Sequence, residues 1–200
     1  MNGQAQRALQ TTDKELILGG QKSGKTRRAE SLALAWLQAD GRNQACYVAT
    51  GQAWDAEMQQ RIARHQNDRR ARVPGMRTLE APLQLAQVLQ AHSQPDTLLV
   101  VDCLTMWLTN WMMPMSTDCE NESNRSLELD WCAQRAHFIE VLAQCPGPVV
   151  LVGNEIGLGV IPLGREVRAF VDALGVLNQD VARVCNRATL MAAGLPLCLK

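Results

Sequence analysis

The sequence predicts an α/β protein in which a mostly parallel sheet lies between helices and ends in an antiparallel pair of strands. Short apolar runs, typical of buried strands, alternate along the chain with stretches of helical periodicity. The first of these runs leads through a glycine-rich segment into a helix. Two short strand-like segments around a glycine turn close the chain and account for the antiparallel pair.

The strands are recognised as apolar runs bounded by turn residues. They are predicted at residues 15–19, 44–49, 97–102, 148–153, 188–194 and 195–200. The helices are recognised by apolar residues three or four positions apart, such as Ala29, Leu32 and Trp36. They are predicted at residues 26–39, 55–67, 83–92, 131–144 and 166–186, and the segment 104–113 is apolar and rich in Trp and Met.

Two internal segments are predicted to be irregular. Residues 68–77 form an arginine-rich loop that Pro74 and Gly75 interrupt. Residues 114–130 are polar and charged, and we interpret them as a loop at a subunit edge. We expect residues 1–14 to be a disordered lead-in and residues 15–200 to form a single domain, which suits a length of 200 residues.

Charge and composition exclude several classes of protein. Twenty basic and twenty acidic residues cancel, which argues against a nucleic-acid binder with a broad basic face and against a polybasic membrane anchor. No apolar run approaches the roughly 20 residues of a membrane-spanning helix, so no stable membrane insertion is expected. The seven cysteines are dispersed without a CxxC pair, which favours reduced thiols in a cytoplasmic protein over disulfides or zinc.

The glycine-rich segment at residues 19–26 fits the pattern GxxxxGK[ST] and lies between a strand and a helix. Its glycines let backbone N–H groups converge on phosphate oxygens, and the helix N-terminus adds a positive field. Lys25 is expected to bridge the terminal phosphates as a catalytic residue. An ordinary glycine turn is the alternative. The nucleotide-binding residues assigned here are Gly19, Gly20, Gln21, Lys22, Ser23, Gly24, Lys25 and Thr26.

A magnesium site is expected beside this segment. The hydroxyl of Thr26 would bind Mg²⁺, and Asp102, at the end of an apolar strand, would be its second partner directly or through water. The alternative for Asp102 is a carboxylate that caps a turn. Thr50, Gly51 and Gln52 follow another strand and are expected on the same, ligand-facing edge of the sheet, with helix capping as their alternative.

The helix predicted at residues 55–67 places Glu57, Arg61 and His65 along one polar stripe, with Met58 and Ile62 facing inward. A solvated stripe with one salt bridge would explain this pattern. A histidine among arginines could also act as nucleophile or acid/base beside a second set of phosphates, and the chemistry alone leaves both readings open. The surrounding arginines are Arg61, Arg64, Arg69, Arg70 and Arg72.

Taken together, these motifs resemble the bifunctional adenosylcobinamide kinase / adenosylcobinamide-phosphate guanylyltransferase family of cobalamin biosynthesis. The blocks that carry the resemblance span nearly the whole chain beyond residue 15. They are 19–26 (GGQKSGKT), 47–52 (YVATGQ), 55–58 (DAEM) with 61–65 (RIARH), 101–110 (VDCLTMWLTN), 152–162 (VGNEIGLGVIP), 170–179 (FVDALGVLNQ) and 193–200 (AGLPLCLK). The phosphate-loop motif is generic, whereas the RIxxH, DCLTxWLTN and NEIGLGVIP blocks are specific in combination.

The resemblance implies a P-loop α/β domain similar to RecA-type ATPases that associates as a homotrimer. It implies phosphorylation of the aminopropanol hydroxyl of adenosylcobinamide with ATP or GTP, followed by GMP transfer from GTP through a GMP-histidine intermediate. The histidine that ends RIxxH is His65, which Glu57 or Arg61 is expected to orient. Glu80 joins Thr50, Gly51, Gln52 and Asp102 among the residues assigned to nucleotide binding.

Three positions depart from the family pattern. Met76 stands before Arg77 where a Trp is usual, the loop between His65 and Arg77 is longer, and the tail at 185–188 lacks an acidic pair. Two other functions remain open on the sequence. One is a P-loop kinase of another small metabolite without nucleotidyl transfer, and the other is a RecA-like ATPase that binds a partner or single-stranded DNA. The lack of a basic, aromatic-lined groove counts against the second.

Overall fold

The computed structural model describes residues 8–53, 56–113 and 123–200. The strands are β1 (Lys14–Gly19), β2 (Gln44–Ala49), β3 (Arg77–Glu80), β4 (Thr97–Asp102), β5 (Val149–Val152), β6 (Arg187–Ala192) and β7 (Leu195–Cys198). The helices are α1 (Lys25–Ala39), α2 (Ala56–Arg72), α3 (Leu85–His92), α4 (Leu104–Met112), α5 (Ser123–Gln144) and α6 (Arg165–Val184). None of the helices in these ranges is long and apolar enough to cross a membrane.

The strands form one sheet in the order β3-β2-β4-β5-β1-β6-β7. Every neighbouring pair is parallel except β6 and β7, which are antiparallel. The predicted α/β class with a mostly parallel sheet and a terminal antiparallel pair is confirmed. The strand that precedes the glycine-rich segment, β1, lies in the centre of the sheet, and β5 separates it from β4, which ends in Asp102.

Successive residues of the central strands point to opposite faces of the sheet and join two separate cores. Leu16 belongs to a core under α3, α4, α5 and α6, which Trp107 and Phe138 fill. Ile17 belongs to a smaller core under α1, which includes Trp36 and Tyr47. The sheet is therefore covered on both faces, as the apolar character of its strands requires.

Several predicted boundaries were wrong. Helix α2 continues to Arg72, so residues 68–72 are helical rather than loop. Apolar periodicity does not extend over residues 68–72, because arginines make the inward contacts of this last part of the helix. Their aliphatic stems pack against the domain while their guanidinium groups contact Tyr47 and Glu30. Helix α5 begins at Ser123, so residues 123–130, expected to be irregular, are helical.

Strand β3 was missed altogether. It is a four-residue edge strand in which only Leu79 is partly buried, so it has no apolar run to reveal it. The rest of the expected irregular segment, residues 114–122, and the start of the expected lead-in, residues 1–7, lie outside the described residues. Asp13 is already buried, and β1 begins at Lys14.

Candidate active site

The glycine-rich segment forms a tight loop between β1 and α1, at the carboxyl end of the parallel strands. Gly24, which precedes the first residue of α1, has φ = 102°, a conformation that side chains with a Cβ rarely adopt. A Cβ on Gly19 would lie 2.5 Å from the carbonyl oxygen of Met191 and 2.6 Å from the Ser23 hydroxyl oxygen. Close approach of the backbone therefore explains these two glycines.

The loop rests against the turn between β6 and β7. The N–H of Gly194 donates to the Ser23 carbonyl oxygen at 3.0 Å, and a Cβ on Gly24 would lie 3.3 Å from the Gly194 Cα. On its other side, the Glu155 N–H donates to the Gly19 carbonyl oxygen at 3.1 Å. The segment after β5 and the terminal hairpin thus hold the loop in place.

The side chain of Lys25 is buried and folds back over the loop. Its Nζ donates to the carbonyl oxygens of Gly19 at 2.9 Å and Gly20 at 2.6 Å. Burial lowers the pKa of the Lys25 ammonium, while the neighbouring Cys103 and Asp102 side chains act in the opposite direction. This places a cation at the N-terminus of α1, where phosphate oxygens bind in proteins of this geometry.

Thr26 and Asp102 are brought together across the sheet. The Thr26 hydroxyl donates to Asp102 Oδ2 at 2.8 Å. Burial raises the pKa of the Asp102 carboxyl, and hydrogen bonds from Thr26 and Tyr47, together with the nearby charges of Lys25 and His65, oppose that shift. A partly buried carboxylate is therefore held beside a hydroxyl at the edge of the phosphate loop.

This pair fits a magnesium ion. Mg²⁺ prefers hard oxygen ligands and usually keeps several waters, binding through one or two protein groups and the phosphates of its substrate. Thr26 and Asp102 supply a hydroxyl and a carboxylate oxygen at one point. Across the described ranges, no group of three or more His, Cys, Asp or Glu could hold a metal by itself. The donors present thus suit a nucleotide-bound ion rather than a protein cage.

Thr50 occupies a structural position beneath this site. It is fully buried, its hydroxyl donates to the Cys103 carbonyl oxygen at 2.7 Å, and it accepts from the Cys103 N–H at 2.8 Å. The Asn110 side chain donates to the Thr50 carbonyl oxygen at 2.8 Å and to that of Pro82 at 2.8 Å. These bonds hold the chain that follows Asp102 against the end of β2.

The other residues predicted after strands lie along the same sheet edge. Gly51 is exposed and Gln52 is half-buried, just beyond β2. Glu80 is exposed at the end of β3, paired in register with Ala49, which itself pairs with Asp102. The structure therefore collects the predicted nucleotide-binding residues at the carboxyl edge of the sheet, and their individual roles stay predictions.

His65 lies on the exposed side of α2, in the third turn of the helix. Its charge is among the influences that lower the pKa of Asp102, which places the imidazole in electrostatic reach of the site. Glu57 is exposed at the start of the same helix, and the side chain of Arg61 lies outside the described residues.

The four arginines around His65 whose side chains the structure describes do not form one cluster. Arg69 is buried, with its Cζ 3.6 Å from the centroid of the Tyr47 ring. Arg72 pairs with Glu30 on α1 at 3.0 Å. Arg64 and Arg70 are exposed. The helix therefore uses two arginines to attach itself to the domain and leaves two facing solvent.

Sequence reasoning did not find Tyr47 as a contact of Asp102. Tyr47 is buried in β2, and its phenol is among the groups that oppose the upward shift of the Asp102 pKa. The register of β2 on β4 sets Ala49 beside Asp102, and Tyr47 shares the face of Ala49. Strand register is the signal that would have found this contact, and apolar runs alone do not specify it.

A phosphate loop between a parallel strand and a helix, with its lysine and a hydroxyl–carboxylate pair, defines a P-loop nucleotide-binding protein. The family model described as cobinamide kinase / cobinamide phosphate guanyltransferase matches residues 15–199. The chain belongs to this family of transferases. The RecA-like character expected of the sheet is in keeping with a match to the flagellar accessory protein FlaH of Methanocaldococcus jannaschii, at a TM-score of 0.50 and 14% identity over 96% of this chain and 80% of that chain.

Curated relatives match along almost their whole length. The bifunctional adenosylcobalamin biosynthesis protein CobP of Pseudomonas aeruginosa is 45% identical over 188 residues, covering 94% of this chain and 97% of the relative. The bifunctional adenosylcobalamin biosynthesis proteins CobU of Escherichia coli and Salmonella typhimurium are each 32% identical over 187 residues, covering 92% of this chain and 98% of each relative.

Proposed function

We propose that the protein phosphorylates the aminopropanol hydroxyl of adenosylcobinamide with ATP or GTP, and then transfers GMP from GTP to the resulting phosphate. The observation that carries this proposal is the location of His65 on a helix beside a complete phosphate loop, in a chain that belongs to the cobinamide kinase / cobinamide phosphate guanyltransferase family. The product is adenosylcobinamide-GDP.

In the kinase step, the substrate hydroxyl oxygen forms a bond to the γ-phosphorus and the bond from that phosphorus to the β-phosphate oxygen breaks. The nucleoside diphosphate leaves, and the hydroxyl proton passes to solvent. Lys25 and the backbone N–H groups of the loop at residues 19–26 hold the phosphates and stabilise their developing charge. Thr26 and Asp102 would hold Mg²⁺, which supplies charge neutralisation on the phosphate oxygens when bound.

In the transfer step, a ring nitrogen of neutral His65 attacks the α-phosphorus of GTP. A phosphorus–nitrogen bond forms, the bond to the β-phosphate oxygen breaks, and pyrophosphate leaves. A phosphate oxygen of adenosylcobinamide phosphate then displaces the imidazole, which restores His65. Protonation of the imidazole removes the attacking electron pair, so labelling of His65 is expected to fall as the pH is lowered.

The family's homotrimer is part of the proposal, and an exposed apolar segment after β5 supports it. Leu158, Val160 and Leu163 have exposed fractions of 82, 96 and 97%, which suits a surface that is covered in an assembly. Light scattering should give a mass three times that of the chain, and Val160→Asp should reduce it. A cytoplasmic location suits the nucleotide substrates and the free cysteines of the described ranges.

The direct test is covalent labelling with Mg²⁺ and GTP carrying the label on the α-phosphate, followed by denaturation. Label that is acid-labile and alkali-stable on the wild type, and absent from His65→Ala, establishes the GMP-histidine step. His137→Ala is the matched control because His137 is an exposed histidine on the distant helix α5. Lys25→Ala should also lose the label, because it removes the cation that holds the phosphates.

The same samples distinguish the rival functions. A wild type that takes no label, and that phosphorylates another small metabolite rather than adenosylcobinamide, would be a P-loop kinase without nucleotidyl transfer. ATP hydrolysis that responds to single-stranded DNA and not to adenosylcobinamide would instead support a RecA-like ATPase.

A further inference from the structure

The side chain of Arg69 attaches helix α2 to the sheet. It is 4% exposed, and its guanidinium carbon lies 3.6 Å from the centroid of the Tyr47 ring on β2. Its Nη2 also donates to the Thr78 hydroxyl on β3 at 3.0 Å. One side chain of α2 therefore contacts two neighbouring strands.

Tyr47 continues this contact into the phosphate site. It lies on β2 two residues before Ala49, which pairs with Asp102, and its phenol is among the groups that influence the Asp102 carboxyl. That carboxyl accepts a hydrogen bond from Thr26 at 2.8 Å. Neighbouring side chains thus connect α2, through β2 and β4, with the first turn of α1.

His65 and Arg69 are four residues apart on α2 and therefore lie on the same face of the helix, one turn from each other. His65 is exposed beside the site, whereas Arg69 is buried against it. The contact of Arg72 with Glu30 fixes the end of α2, two turns beyond His65. Along α2, Arg69 is four residues from His65, whereas Arg72 is seven residues away.

We propose that Arg69 is a positioning residue for guanylyl transfer, which by stacking on Tyr47 holds His65 in line with the α-phosphate of the nucleotide in the phosphate loop. This assignment rests on the proposed GMP-histidine step. The kinase step uses Lys25, Thr26 and Asp102 and needs no group on α2. Loss of Arg69 therefore slows nucleotidyl transfer while phosphoryl transfer continues.

The chemistry of the guanidinium explains why an arginine is needed. Its planar group stacks on an aromatic face and still directs an N–H to a third group, whereas the compact ammonium of lysine does not reproduce both contacts. A buried cation over an aromatic ring is also favoured more strongly than an exposed one. Because a small misplacement of a reacting atom slows a reaction steeply, a loosened α2 is expected to show in the rate of attack.

The test is Arg69→Lys, which keeps the positive charge. Its single-turnover rate of His65 labelling at saturating GTP should fall about tenfold, because a displacement of the attacking atom by well under about 1 Å is enough for such a loss. The dissociation constant for GTP and the rate of adenosylcobinamide phosphorylation should stay within about twofold of the wild type. Arg42→Lys, which changes an exposed arginine paired with Asp40 between α1 and β2, is the matched control and should label at the wild-type rate.

Thr78→Val gives a second measurement if Arg69→Lys folds poorly, because it removes the hydrogen-bond acceptor and keeps the stacking on Tyr47. It should slow labelling less than Arg69→Lys. The double variant should be no slower than Arg69→Lys within about twofold, because both changes act on one attachment.

Three results would overturn the assignment. His65 could be labelled at the wild-type rate in Arg69→Lys, which would refute the positioning role of Arg69 and leave the GMP-histidine step standing. The substitution could weaken GTP binding or slow both reactions equally, which makes Arg69 a nucleotide-binding or general structural residue. A wild type that carries out the kinase step but takes no label refutes the GMP-histidine step itself, so the two failures are distinguishable.

Discussion

The carboxylate of Glu30 on α1 lies 3.0 Å from the guanidinium of Arg72 on α2. The Glu30 side chain is 4% exposed and that of Arg72 is 41% exposed, so a buried acid depends on a half-exposed base. Their helices carry Thr26 and His65, respectively. This ion pair therefore joins the element that begins at the phosphate loop to the element that bears the proposed nucleophile.

Arg72→Ala should destabilise the protein by about 2 kcal/mol, because it leaves the buried Glu30 carboxylate without its partner. The loss should be smaller than for a fully buried pair, because Arg72 is half-exposed and solvent screens its charge. Urea denaturation at neutral pH measures the change. Arg42→Ala breaks an exposed pair with Asp40 and should leave the denaturation midpoint unchanged. Equal midpoints for Arg72→Ala and the wild type would contradict the prediction.

Glu30 also predicts a pH dependence. Burial raises the pKa of its carboxyl, and Arg72 and Arg69 oppose this shift. The folded protein thus binds this proton more tightly than the unfolded chain, so the contribution of Glu30 to stability is present at low pH and is lost as the pH rises through the folded-state pKa. Glu30→Gln does not titrate. Its unfolding free energy, relative to the wild type, should be higher at pH 7.5 than at pH 4.5, and a pH-independent difference would refute this account.

Gly19→Ala should destabilise the fold by more than about 2 kcal/mol, because the new Cβ would lie 2.5 Å from the Met191 carbonyl oxygen and the residue has φ = 152°. Gly20→Ala is the neighbouring control. Nothing lies within 4 Å of its Cβ position, so its stability should stay within about 0.5 kcal/mol of the wild type. Similar losses for the two variants in chemical denaturation would show that the contact with β6 is not the cause.

The cysteines should differ sharply in reactivity. Burial raises the pKa of the Cys103 and Cys185 thiols to about 12, so little thiolate forms at pH 8. Cys132 and Cys198 are exposed. Brief treatment of the native protein with iodoacetamide at pH 8, followed by peptide mapping, should find Cys132 and Cys198 alkylated and Cys103 and Cys185 intact. Treatment in denaturant is the control, and there all four should react.

The phosphate loop and the central strands were predictable because their local residue patterns are enough to indicate their backbone conformation and burial. Strands β2 and β4 match the predicted bounds, since each is an apolar run between turn residues. The loop at residues 19–26 is defined by a fixed spacing of glycines and lysine that its backbone geometry requires. Local sequence is sufficient in both cases.

The attachment of α2 was not predictable in the same way. Arg69 and Arg72 have the polarity of a surface loop, and only their partners Tyr47 and Glu30, distant in sequence, attach them to the domain as helical residues. Strand β3 has the same difficulty, because pairing with β2 rather than burial of its own side chains makes it a strand. Such contacts depend on tertiary packing, which apolar periodicity does not encode.

The order of the strands has a consequence for synthesis on the ribosome. Strand β1 comes early in the chain, yet its neighbours in the sheet are β5 and β6, with Lys14 opposite Val149 and Glu15 opposite Arg187. The phosphate loop also rests on Gly194, which is translated later still. Nascent chains therefore carry an apolar strand without neighbours for most of their elongation, and such segments are prone to aggregate. The phosphate loop gains the support of Gly194 only when the terminal hairpin has been made, at the very end of synthesis.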